Sequence, residues 1–128
     1  MMIKAILLIS CIFAFLSMGV ISDSNQISMS QNQTSTWDDK NTTFTVWEVM
    51  LVNNWNATII DLTITATANF FSSKPSDIWN VEKVSDKVYH FQPYLIQNGL
   101  STGENFTFGY INEAKTQATF EISNIKTK

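Results

Sequence analysis

Hydrophobic and polar positions alternate with a period of two through most of the chain beyond residue 42. Residues 43–53, TFTVWEVMLVN, are rich in β-branched and aromatic side chains and predict a strand. Phe44, Val46, Glu48, Met50 and Val52 share one face, and Thr45, Trp47, Val49 and Leu51 share the other. Neither face is cleanly polar, which places this strand near the middle of its sheet. Residues 58–68 give the cleanest alternation: Ile60, Leu62, Ile64, Ala66 and Ala68 point to a core, while Asp61, Thr63, Thr65 and Thr67 point to water. The threonines are β-branched, which disfavours helix there. Residues 78–84 and 87–92 predict two short strands about a turn at Ser85-Asp86, the second with Tyr89 and Phe91 on one side and Val88, His90 and Gln92 on the other. Pro93 cannot stand inside a hydrogen-bonded ladder, so Tyr94 falls on the rim, followed by a loop whose turns use Gly99 and Gly103. Phe106, Phe108 and Tyr110 share a face in the next strand, and Ala118, Phe120, Ile122 and Asn124 share one in the last. About seven to nine strands, short turns and no convincing helix predict an all-β, immunoglobulin-like antiparallel β-sandwich.

The pattern differs before residue 36. Lys4 precedes an apolar run reaching Ile21, and the chain turns polar at Asp23, which predicts a signal peptide over residues 1–22 with a cut after Ser22. Residues 23–35, DSNQISMSQNQTS, offer little apolar surface and predict a flexible polar leader, so the domain is expected over residues 36–128. Loss of the signal takes away Cys11, the single cysteine, so a secreted domain of this size must be held by packing rather than by disulfides. It also takes away Lys4, leaving seven lysines against eleven acids and no arginine. Nothing then supplies the positive stripe that phosphate neutralisation needs, which argues against nucleic acid as a partner; no membrane attachment is expected once the signal is gone. Asn32, Asn41, Asn56 and Asn105 each begin an N-x-S/T sequon and are candidate glycosylation sites.

Catalytic chemistry is not signalled. Asp61, Asp77, Glu82, Glu104, Glu113 and Glu121 show no paired spacing on a shared strand face, as glycoside hydrolysis would require. His90 is the only histidine and has no cysteine partner in the mature chain, so neither a histidine-based metal site nor a nucleophilic triad is predicted, and no cofactor is expected. The aromatics say more. Trp47 lies inside a strong strand and reads as core, whereas Trp37, Trp55, Trp79 and Tyr94 lie beside turns or strand ends among Asn, Gln, Ser and Asp. Coplanar exposed rings could stack on a flat array of sugar rings while neighbouring amides hydrogen-bond the hydroxyls.

At these residues the chain resembles carbohydrate-binding module family 49, the cellulose-binding domain of plant endoglucanases and of secreted slime-mould wall proteins. The resemblance covers residues 36–125 and is carried by Trp37, residues 44–54, residues 62–66, Ile78-Trp79, residues 89–94, Leu100-Ser101-Thr102-Gly103, and the stretch ending in Phe108-Gly109-Tyr110-Ile111. The layout is also similar to bacterial family 2 cellulose-binding modules, whose strip of three exposed aromatics falls on Trp37, Trp79 and Tyr94. Tyr94 stands where those relatives usually carry tryptophan, and their cysteine pair is absent here. The resemblance implies non-catalytic binding of cellulose or another β-glucan in an extracellular matrix or cell wall, with Gln92, Asn80 and Asn98 as polar neighbours of the strip and other matrix proteins as further partners. The alternative is an extracellular structural or adhesion β-sandwich that binds protein, which would leave the three rings buried or scattered.

Overall fold

A computed structural model describes residues 26–128, and the expected signal peptide lies outside the described residues. Among these residues eight strands form two antiparallel four-stranded sheets, an all-β sandwich as expected. In chain order they are β1 (Ile27–Asp39), β2 (Thr42–Asn53), β3 (Ile59–Ala68), β4 (Ile78–Trp79), β5 (Glu82–Ser85), β6 (Val88–His90), β7 (Asn105–Asn112) and β8 (Thr119–Thr127). One sheet runs β1-β2-β7-β4 and the other β5-β6-β3-β8.

The alternation read from the sequence is what fills the space between the sheets. Val49 and Leu51 of β2, Leu62, Ile64 and Ala66 of β3, Phe106, Phe108 and Tyr110 of β7, and Phe120 and Ile122 of β8 are all buried there. Phe70, Phe108, Tyr110 and Phe120 meet edge to face at 5.2–5.8 Å between centroids, the arrangement that aromatic quadrupoles favour. The alternation slips where the ladder does. Register shifts between β3 and β8 bring Ile59 rather than Ile60 into the core, leave Ala68 exposed, and turn Asn124, with φ 50°, outwards while Ile125 packs inwards.

Three elements depart from the sequence reading. Residues 27–35, expected within a flexible leader, are the first part of β1, which pairs with β2 along its length. Nearly every β1 residue is exposed, as befits an edge strand; Ile27 alone enters the core, so the strand's order comes mostly from backbone pairing and from one polar network. Gln31 is central to that network: its Nε2 donates to the Ala118 carbonyl at 2.8 Å, and its Oε1 accepts from the Tyr110 hydroxyl at 2.6 Å, which itself accepts from the Ala118 N–H. Residues 78–84, expected as one strand, serve both sheets, with β4 pairing to β7 and β5 to β6. Residues 93–98, expected as loop, form a short helix, α1 (Pro93–Asn98). Pro93 starts it where a missing N–H costs nothing, and Gly99 ends it at φ 80°, its N–H bonded to the Leu95 carbonyl at 2.7 Å. Leu95 is buried, which docks α1 onto the sandwich.

Two fully buried asparagines clamp the connecting segments. Asn53 Nδ2 donates to the carbonyls of Ala57 and Leu100 at 2.9 and 2.8 Å, and its Oδ1 accepts from the Trp55 N–H. Asn112 Nδ2 donates to Asn69 and Thr116, and its Oδ1 accepts from the Phe71 N–H at 2.7 Å. Removing either side chain would strand several buried backbone groups without partners.

Candidate carbohydrate-binding face

The outer face of the β1-β2-β7-β4 sheet follows from register. Opposed residues in an antiparallel pair point the same way. The row Asn32–Glu48–Gly109–Trp79 therefore crosses all four strands on the side away from the buried Val49 and Phe108. The same face carries Ser28, Ser30 and Ser35 of β1, Val46, Met50 and Val52 of β2, and Asn105, Thr107 and Ile111 of β7. Glu48 and, at the hairpin end of β1, Asp39 are the ionisable strand residues of this face.

Trp37 stands directly opposite Phe44. Their rings stack with centroids 5.3 Å apart and planes 8° from parallel, so Phe44 backs the indole that solvent reaches. A bulge between Gln33 and Ser35 makes this possible. Without the extra residue, Trp37 would follow the inward phase set by Gln31 rather than the outward phase of Phe44.

Trp79 lies at the other edge. The buried Asp77 closes the turn before it, accepting from the Ser73 N–H at 3.1 Å, and β4 then pairs Trp79 with Gly109. The indole lies over that glycine: a Cβ at residue 109 would stand 2.6 Å from Trp79 Nε1. Only a residue without a side chain lets the ring settle onto the strand. Asn80 follows at φ 65°, a left-handed conformation that asparagine tolerates well. Its Nδ2 donates to the Thr107 carbonyl at 2.6 Å, and its Oδ1 accepts from the Tyr94 hydroxyl at 3.0 Å. Tyr94, in the first turn of α1, is thereby tied to the residue beside Trp79.

All three expected ring positions are exposed: Trp37 at 42%, Trp79 at 43% and Tyr94 at 48%. Strand rise and spacing put the backbone anchors of Trp37 and Trp79 roughly 20 Å apart on a diagonal across the sheet. Of the expected polar neighbours, Asn80 braces Tyr94, and Asn98 lies one helical turn from Tyr94 on the same side of α1. Gln92 is half-buried at the helix start, and its backbone carbonyl accepts from Leu95 and Ile96; no side-chain hydrogen bond joins it to the rings among the described residues. Trp55 and Trp47 pack against the core, and Trp47 Nε1 donates to Thr45. Phe44 and Gly109 are the site residues that the sequence reading missed. The signal was a strand glycine, which often marks a place where something must come close.

The opposite outer face is polar. On it, His90 Nδ1 meets Asp61 Oδ2 at 3.1 Å and Nε2 meets Glu82 Oε1 at 2.9 Å. Burial pulls the His90 value down, but the hydrogen bonds and charges of Asp61 and then Glu82 outweigh it, leaving it above the usual 6.5. A neutral imidazole could donate to only one of the two carboxylates.

The family model of the carbohydrate binding domain CBM49 matches residues 27–116, well over half of the chain. The chain belongs to this family. Searches among curated proteins and among solved structures find no match. The CBM49 match begins at the first residue of β1 and spans β1 to β7, so every strand of the sheet that carries Trp37 and Trp79 lies within it. The CBM49 assignment gives the protein a carbohydrate-binding role and a polysaccharide partner.

Proposed function

We propose that this CBM49 protein is a secreted, non-catalytic module that binds cellulose or a closely related β-glucan through Trp37, Trp79 and Tyr94. The observation that carries the reading is that register sets Trp37 and Trp79 outward on one sheet, with Tyr94 bonded to the residue next to Trp79. Rings held by Phe44, Gly109 and Asn80 lose little freedom on binding, so less of the stacking energy is spent on ordering them. The hydroxyl-bearing side chains on the same face, from Ser28, Ser30, Ser35 and Thr107, suit a neutral polymer rich in hydroxyls. Asn80 acts as a brace for Tyr94, and Asn98 is the amide beside that ring. Exposure of all three rings favours this reading over a protein-binding sandwich, for which they would be buried or scattered.

The polymer would lie across the β1-β2-β7-β4 face in an extracellular matrix or cell wall. Retention of the mature protein on microcrystalline cellulose, with Trp37→Ala and Trp79→Ala beside it, tests the proposal. Retention of the intact protein and its loss in both variants is expected; no retention, or equal retention of all three, overturns it.

A further inference from the structure

Asn32 shares its cross-strand row with Glu48, Gly109 and the overlying Trp79. It is exposed, and its neighbour Gln31 points inwards to Tyr110 and Ala118, which fixes the Asn32 side chain on the outer face. Two strand spacings separate it from Gly109, roughly 10 Å. Asn32 also opens the sequon Asn32-Gln33-Thr34. The other sequons are placed differently. Asn41 lies in the β1–β2 hairpin turn and Asn56 in the turn between β2 and β3, while Asn105, the first residue of β7, shares the outer face but stands four residues along the strand from Gly109. Of the four, only Asn32 stands in the Trp79 row.

We propose that Asn32 carries an N-linked glycan and that this glycan occludes the aromatic face, so that occupancy of one sequon sets how strongly the module binds β-glucan. The inference rests on the proposed use of Trp37 and Trp79. An oligosaccharide rooted in that row has only Glu48 between it and the Trp79 ring. Its own sugars would reach the surface that an incoming polymer must cover. Because the attachment is covalent, the glycan competes at a fixed high local concentration. A glycan at Asn41 leaves from the hairpin tip near Trp37, seven residues along the chain from Glu48 in the Trp79 row, so it reaches only one end of the face.

The experiment compares the full chain secreted from a eukaryotic host with Asn32→Gln, Thr34→Ala and Asn41→Gln from the same host, and with all four made unglycosylated in bacteria. Mass spectrometry reads occupancy, and retention on microcrystalline cellulose reads binding. Thr34→Ala removes the sequon without touching Asn32, so agreement between it and Asn32→Gln separates loss of the glycan from any local effect of either substitution. The expected result is a glycan on Asn32, retention about tenfold higher for Asn32→Gln and Thr34→Ala than for the glycosylated parent, a smaller gain for Asn41→Gln, and equal retention of all four bacterial proteins. An unmodified Asn32, or equal retention of the occupied parent and Asn32→Gln, overturns the inference while leaving the binding face intact. Failure of the bacterial proteins to bind cellulose at all removes the proposed function, and this inference with it.

Discussion

The two outer faces of this sandwich are built on the same scaffold and have opposite chemistry. On the β5-β6-β3-β8 sheet, the outward residues include Thr63 and Thr65 of β3, Val88 and His90 of β6, Glu82 and Ser85 of β5, and Glu121 and Ser123 of β8, with Val84 exposed beside them. Hydroxyls and charges of this kind are at home in water. On the β1-β2-β7-β4 sheet, the outward set includes Trp37, Phe44, Val46, Met50, Ile111 and Trp79, with Glu48 and, at the hairpin end, Asp39 as its charges. A fold of this kind needs only its inner faces to be apolar. The second face therefore carries apolar rings that folding did not demand, and that excess supports the proposed binding face.

The largest effect separating the faces is expected from Trp79→Ala, which should lower retention on cellulose at least thirtyfold, about 2 kcal/mol, whereas Thr65→Ala on the opposite face should leave it unchanged. Equal losses from both would erase the distinction. A smaller but sharper effect is expected from Gly109→Ala. The added methyl meets the Trp79 indole, so the ring must lift, and binding should fall about tenfold in a protein whose Trp79 fluorescence shifts. Unchanged binding with a shifted ring would show that the ring's seating on the strand does not matter. Next comes Tyr94→Phe, which keeps the ring and removes its hydroxyl bond to Asn80. A loss of about 1 kcal/mol or less in binding measured by depletion isotherms is expected, while Tyr94→Trp should bind more tightly through its larger area.

The smallest effect belongs to the polar face. Because the folded value of His90 is raised above 6.5, its ion pairs contribute fully below that pH and are lost as pH rises through the raised value. The wild-type melting temperature should therefore fall from about pH 5.5 to about pH 8.5 by more than that of His90→Gln, within the roughly 0–1 kcal/mol of exposed pairs. Cellulose retention should be the same for both proteins at either pH. A pH response in binding that follows His90 would couple the two faces and break the comparison.

Much of the fold was legible because β2, β3, β7 and β8 bury one side only, and alternation then exposes itself in the sequence. β1 was not, since an edge strand with serine, glutamine, asparagine and threonine on both sides has no apolar period to read. Its order depends on pairing with β2 and on the Gln31 network, both long-range. The helix α1 left a local sign, proline at its first residue and glycine just past its last, but six residues are too few for an apolar period to develop. At the site, the resemblance pointed to Trp37, Trp79 and Tyr94, and all three are exposed. What no local pattern could give was their support: the bulge that turns Trp37 outward onto Phe44, the glycine under Trp79, and the asparagine bridging to Tyr94.

The buried pair Asn53 and Asn112 bears on a different property of the molecule. Between them they bind six backbone groups flanking the strands, tying together segments up to 47 residues apart in sequence, and residues 26–128 contain no cysteine. Cross-links made of amide hydrogen bonds do not respond to thiols. The sandwich accordingly holds the same shape in reducing and oxidising surroundings, needs no oxidative step to mature, and refolds without a pairing problem to solve.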